Sequence, residues 1–111
     1  MLAVIGGVSL KRWYHGPEFF WRAHQSLRQA RGDALCLHAE VFVRQGCYFS
    51  YTVWHDVEAM LTFAYSGPHR RVVRASTRLA DINVFCQFPC IAVPSRVQAL
   101  QVWEQRAQAA E

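Results

Sequence analysis

Three side chains equipped for chemistry gather around one junction of this 111-residue chain: Trp54, Tyr65 and His69, within YTVWHDVEAMLTFAYSGPHRRVV, residues 51–73. An indole and a phenol can wall an apolar pocket, and an imidazole can serve there as a base or an axial ligand. Trp54 ends a β-like run, and period-2 alternation puts Tyr48, Ser50 and Thr52 on its face. Hydroxyls at Ser50 and Thr52 would supply polar orientation that a pure core does not need. His69 follows Pro68 at the head of a helical stretch. The positive end of a helix dipole there favours the neutral imidazole, the form that ligates a metal or accepts a proton. The expectation is one partly apolar cavity bordered by Trp54, Tyr65 and His69.

Plainer roles compete with these. An aromatic at a strand terminus also seals a core by area alone, and one hydrogen bond satisfies a core histidine. His24, on the helical stripe Phe20–Leu27, either faces the same cavity as a ligand-binding residue or caps the core. His38 alternates onto a strand face with Glu40 and Arg44, which is ordinary cross-strand pairing. His15 and His55 fall in loops. No Ser-His-Asp, paired-carboxylate or phosphate-loop pattern is present, so hydrolase and nucleotide-binding classes rank low. The four cysteines, Cys36, Cys47, Cys86 and Cys90, form no CxxC pair and no zinc spacing. No metal site is expected, and the thiols are expected buried and reduced.

The elements that must position these residues follow from periodicity and breakers. Residues about 2–14 read as a strand, with Gly6-Gly7 allowing a bulge or bend. Pro17 suits a first helical position, and the stripe Phe20, Ala23, His24, Leu27, Ala30 faces inward, opposite Arg22, Gln25, Ser26 and Gln29. Gly32-Asp33 ends that helix. Residues 35–44 alternate, Leu35, Leu37, Ala39, Val41 and Val43 on one face, and a turn at Gln45-Gly46-Cys47 returns the chain along 48–54 as a hairpin partner. Asp56 caps a helix with the inner stripe Val57, Met60, Leu61, Ala64 and Tyr65. Ser66-Gly67-Pro68 breaks it, and a further helical stretch puts His69, Val72, Val73 and Ser76 on one face, Arg70, Arg74 and Arg78 on another. NVFCQFPCIAV, residues 83–93, is a fourth strand whose Pro89 suggests an edge or bulge. Ser95 and Gln98 form a capping box for a last helix, about 95–109.

This order is β-α-β-β-α-β with a C-terminal helix. It is the ferredoxin-like α+β arrangement, a four-stranded antiparallel sheet in a single domain, residues 1–111. Apolar residues on both strand faces leave one face uncovered by the crossover helices, so a homodimer with face-to-face sheets is expected. The net charge is +4, carried by eleven arginines and one lysine that are dispersed rather than clustered. Arg70, Arg74 and Arg78 are expected to be solvent-exposed, and no nucleic-acid surface is expected. MLAVIGGVSL lacks a basic n-region and a cleavage site, and no run approaches the roughly 18 apolar residues of a membrane span. A cytoplasmic protein without membrane contact is expected.

The same stretch resembles the central segment of the antibiotic-biosynthesis-monooxygenase-like dimeric α/β-barrel proteins. The resemblance is to a branch without an assigned reaction, with the pattern W…A-M-x-x-F-x-x-S-G-x-H-R. The matching positions are Trp54, Ala59, Met60, Phe63, Ser66, Gly67, His69 and Arg70. The resemblance implies a dimeric barrel, a pocket between helices and sheet, and monooxygenase-like chemistry on a small apolar or aromatic ligand. His69 and Trp54 are then the catalytic candidates, with Tyr65, Ser50, Thr52 and His24 as ligand-binding candidates. Alternatives are a non-catalytic dimeric module that binds a hydrophobic ligand or stabilises an assembly, and a haem-binding or haem-degrading protein. Haem-degrading relatives carry an Asn on the first strand as well as the Trp and His. The one asparagine here, Asn83, lies near the fourth strand, with Ser9 or Arg12 left for the first-strand position. The cofactor expectation is therefore none, or haem.

Overall fold

Alternation along β1 (Leu2–Leu10) sends Leu2, Val4 and Val8 to one side of the sheet and Ala3 and Ile5 to the other. The computed structural model describes residues 1–110, with side chains described at all of these except 72, 76, 77, 80–84 and 110. A short 3-10 turn (Trp13–His15) leads into α1 (Gly16–Arg31), then β2 (Cys36–Arg44), β3 (Cys47–Trp54), α2 (Val57–Ala64), α3 (Gly67–Leu79), β4 (Ala80–Pro89) and α4 (Arg96–Ala110). The sheet order is β2-β3-β1-β4 with every neighbouring pair antiparallel, the ferredoxin-like topology. Within this βαββαβ plan the second crossover is broken into two helices, α2 and α3, at residues 65–66.

Local chemistry accounts for the boundaries. Gln45 and Gly46 both take positive φ, 52° and 75°, as a two-residue type I′ hairpin turn requires. Asp56 is extended and its Oδ1 accepts from the Ala59 N–H at 2.8 Å, capping α2. The capping box at α4 closes in both directions: Gln98 Oε1 accepts from the Ser95 N–H at 2.9 Å, and Ser95 Oγ accepts from the Gln98 N–H at 3.2 Å. The β1–β4 register shifts between Gly6 and Val8, the bulge that the glycine pair permits. Pro89 ends β4, which is an edge strand. The chain leaves the sheet there, sooner than the apolar run to Val93 suggests. β1 likewise stops at Leu10, where the Lys11 N–H turns to the Leu79 carbonyl.

Helices α1, α2 and α3 cover one face of the sheet through Phe19, Ala30, Met60, Phe63 and Leu79. The opposite face is not open. Helix α4 lies on it, with Ala99, Leu100 and Trp103 against Ala3, Ile5, Phe49, Tyr51, Val53 and Cys86. Salt bridges Arg96–Glu40 (2.9 Å) and Arg44–Glu104 (2.6 Å) tie α4 to the β2 edge. The bare face that motivated face-to-face pairing of sheets is thus filled by the chain's own last helix.

Three stripes come out rotated. In α1 the inward residues are Phe19, Ser26 and Ala30, while Phe20 and His24 are exposed. In α2 they are Ala59, Met60 and Phe63, while Val57, Leu61 and Tyr65 are exposed. Both helices carry apolar residues on more than one face, so periodicity alone could not choose the buried one. In β2 a register shift between Cys36 and His38 puts Cys36 with Ala39 against the Trp54 cluster and leaves Leu35 and Leu37 exposed. Arg70, Arg74 and Arg78 are exposed. The side chains of Val72, Ser76 and Asn83 lie outside the described residues. Among the described residues no helix is long and apolar enough to cross a membrane.

Candidate functional site

The helix-side face of the sheet supplies the floor of a cavity of about 260 Å³, with α1, α2 and α3 as its roof. Two rows of paired residues cross that floor. One runs Ala39–Thr52–Val4–Gln87, the next Val41–Ser50–Gly6–Phe85. Ser50 and Thr52 therefore stand on neighbouring rungs of β3, as their spacing requires. Gly6 has a specific use here: a Cβ on it would fall 2.1 Å from Cε1 of Phe85, whose ring occupies that space. The roof contributes Phe19, Ser26, Leu27, Met60, Phe63 and His69.

At one end of the cavity Trp54, Phe63 and His69 form a run of contacting rings. Centroids are 4.7 Å apart for Trp54–Phe63 and 4.4 Å for Phe63–His69. Trp54 is fully buried, and its Nε1–H donates to Thr52 Oγ1 at 2.9 Å. Thr52 keeps its own hydroxyl proton for another acceptor. His69 Nδ1 lies 3.1 Å from the Ala64 carbonyl. A carbonyl only accepts, so Nδ1 carries the proton and, in the neutral ring, Nε2 is a bare acceptor. Burial holds His69 below its ordinary titration range, with the Ala64 hydrogen bond opposing more weakly. Neutrality at physiological pH follows, for a reason different from the helix dipole. No buried side-chain nitrogen or oxygen among the described residues lacks a hydrogen-bond partner. Nε2 makes no hydrogen bond to a described residue, so it is open rather than sealed.

Of the residues singled out by sequence, Ser50, Thr52, Trp54 and His69 all line this cavity. Tyr65 does not. It is 74% exposed, because α2 turns Ala59, Met60 and Phe63 inward. Phe63, four residues after Ala59 in the Asp56-capped turn, contacts both Trp54 and His69, while Tyr65, expected to border the cavity with them, faces away. His24 is exposed and lines an adjoining hollow of about 200 Å³ with Phe20, and Ala23, Leu27 and Val41 are shared by both spaces. Two polar residues expected on the outer face of α1 also belong to the site: Ser26 is only 8% exposed, and Gln29 Oε1 accepts from the His69 N–H. Two apolar neighbours flanking a polar residue, as at Ala23 and Leu27 around Ser26, were the available signal.

The donor set does not fit haem. The cavity lies below the roughly 300–1,000 Å³ usual for pockets of drug-sized ligands, and a tetrapyrrole is larger than those. Among the described residues no Lys or Arg lines it to pair with propionates, and the Glu40 carboxylate at its edge is held by Arg96 and His38. Among the described residues no group of three or more His, Cys, Asp or Glu could hold a metal ion. Cys36, Cys47, Cys86 and Cys90 are free thiols.

In fold the chain is similar to solved structures described as antibiotic biosynthesis monooxygenases. A solved antibiotic biosynthesis monooxygenase matches 85% of this chain and 100% of its own at TM-score 0.68 and 22% identity. A putative antibiotic biosynthesis monooxygenase from Deinococcus radiodurans matches 86% and 97% at TM-score 0.73 and 15% identity. SnoaB, a cofactor-independent oxygenase from Streptomyces nogalater, matches 83% and 94% at TM-score 0.67 and 10% identity. No protein-family model matches the chain, and no curated protein matches it significantly.

Proposed function

We propose that this chain is a monooxygenase-like enzyme for a small aromatic ligand bearing a hydroxyl, bound between the sheet and α1–α3. The observation that carries the reading is His69: its Nδ1–H is locked on the Ala64 carbonyl, which leaves Nε2 as an acceptor on the wall of an otherwise largely apolar cavity. A ligand O–H donating to Nε2 would pass its proton there. The resulting electron-rich anion can give electrons to molecular oxygen without a cofactor: one oxygen atom bonds to the ring carbon and becomes a quinone carbonyl as that carbon loses its hydrogen, and the other oxygen leaves as water with that hydrogen and the proton held on His69. Phe63, backed by the fully buried Trp54, would meet the ring by area, while Ser50, Thr52 and Ser26 orient its oxygens. SnoaB's description as a cofactor-independent oxygenase supports the reading.

The test compares 1-naphthol with naphthalene by fluorescence titration, and oxygen uptake with 1,8-dihydroxynaphthalene. Tighter binding of the naphthol, lost in His69→Phe, and His69-dependent oxygen uptake are expected. Hydroxyl-selective binding without uptake would make the chain a non-catalytic ligand-binding module. Equal binding of both probes would overturn the role of His69.

The homodimer is proposed with a changed interface, because α4 already covers the sheet. Ile91, 100% exposed, stands with the exposed Val93 on the β4–α4 connection, and with the exposed Val97 in the first turn of α4 they offer an apolar contact. Sedimentation of the wild type as a dimer and of Ile91→Asp/Val97→Asp as a monomer is expected; a wild-type monomer at micromolar concentration rejects it. Nucleic acid is not proposed as a partner, since Arg78 is engaged by Glu18. The free thiols favour a cytoplasmic, reducing location.

A further inference from the structure

Helix α3 begins just after Ser66, whose hydroxyl does not cap it. Serine is a preferred N-cap because its hydroxyl accepts from a first-turn amide. The Ser66 hydroxyl instead turns back to α2, donating to the Thr62 carbonyl at 2.8 Å with the Phe63 carbonyl at 3.3 Å. Pro68 has no N–H to satisfy, but the His69 N–H needs an acceptor. It finds one 40 residues away: Gln29 Oε1 on α1, at 2.9 Å. The other end of the same carboxamide is also used, Nε2 donating to the Ser66 carbonyl at 3.1 Å and to Ser66 Oγ at 3.2 Å. Gly67 turns the chain here with φ +54°, a conformation that favours glycine, and its Cα side lies against the Gln29 amide, where a Cβ would stand at 3.4 Å, ordinary contact distance.

We infer that Gln29 is a positioning residue for His69. Its carboxamide joins the end of α2 to the start of α3 in one geometry, and in that geometry the imidazole of His69 reaches back five residues to the Ala64 carbonyl. Nε2 is thereby kept as the acceptor on the cavity wall. The device needs an amide. A carboxylate keeps the bond from the His69 N–H but sets an acceptor against the Ser66 carbonyl, and an apolar isostere loses both bonds. The inference deepens the reading of His69 given above and rests on it only for the ligand measurements.

The test is the tautomer of His69, read from its ring ¹⁵N shifts in Gln29→Glu and Gln29→Leu. Gln25→Leu, on the same helix, serves as a control for general loosening. The wild type and Gln25→Leu should show the Nδ1–H form almost alone, while both Gln29 variants populate the Nε2–H form. 1-Naphthol binding should weaken by up to about tenfold, the scale of one hydrogen bond, with naphthalene binding unchanged. A folded Gln29→Glu that retains the Nδ1–H tautomer overturns the inference even if naphthol still binds. Failure of naphthol to bind the wild type affects only the proposed function and leaves the tautomer comparison intact. In the unmodified protein the His69 amide should exchange slowly with solvent. Exchange at the rate of an unprotected amide overturns the inference without any variant.

Discussion

Trp54 and Thr52 stand two residues apart on β3, and the Trp54 indole N–H donates to the Thr52 hydroxyl at 2.9 Å. The strand period puts both on the helix side of the sheet, and the bond sets the plane in which the indole meets Phe63. A fully buried indole N–H left without a partner costs about 1–3 kcal/mol. Thr52→Val, which keeps shape and removes the acceptor, should lose stability on that scale in urea unfolding. Thr52→Ser should recover most of it. Equal stability of all three would show that the bond contributes nothing.

His69 gives a pH dependence with a definite sign. Burial holds its protonation below the ordinary value of 6.5, so the unfolded state takes up the proton first as pH falls. Stability from the neutral buried ring is full above 6.5 and declines as pH falls through the lowered value. Binding of 1-naphthol should fall through the same lower range, since the protonated ring has no acceptor. In His69→Phe that component of both profiles should vanish. A profile centred at or above 6.5 in the wild type would contradict it.

How far this site was legible follows from which residues had one option and which had two. β3 offered one: its period put Ser50, Thr52 and Trp54 on one face, and they share the cavity floor and end wall. Asp56, Ser95 and Gln98 also had one, and their caps form as spaced. Helix α2 had two apolar stripes, and tertiary packing took the one carrying Phe63, which turned Tyr65 to solvent. Gln29 was illegible for a further reason. Its partners are 37 and 40 residues away, and no local pattern marks a glutamine that caps another helix. The sheet face expected to be uncovered is covered by α4 through Ala99, Leu100 and Trp103, because strand alternation does not tell where a helix beyond the βαββαβ unit docks.

Gly6 and Phe85 are paired across β1 and β4, and the ring fills the space where a side chain on Gly6 would go. Phe85 is half exposed at the cavity's edge, so Gly6→Ala should swing it outward rather than unfold the protein, changing stability by no more than about 1 kcal/mol. Selectivity should respond more, with bulkier naphthols gaining relative to 1-naphthol. Phe85→Ala should do the same, and Gly6→Ala should then have no further effect. Independent, additive effects in the double variant would reject the coupling.

Tyr51 lies on the other face, fully buried, and its hydroxyl donates to the Pro94 carbonyl at 2.5 Å. Pro94 belongs to the connection between β4 and α4, so this bond anchors the chain just before the capping box at Ser95. Burial, with the nearby Cys90 and Glu40 adding to it, pushes the Tyr51 phenol up from 10.0 to about 12. The folded state therefore keeps a proton that the unfolded state releases, and stability should decline as pH rises from 10 toward 12. Tyr51→Phe removes that titration, so the difference between wild type and variant should shrink over the same interval. At neutral pH the variant should be about 0.5–1.5 kcal/mol less stable, the usual net value of one hydrogen bond. Because the anchor precedes α4, the loss should be local as well as global. Amides of Ala99 and Leu100 should exchange faster in Tyr51→Phe, while those of Thr52 and Trp54 change only in step with overall stability. Uniform acceleration across the sheet and α4 would mean that the bond supports the core as a whole and does not hold α4 in place.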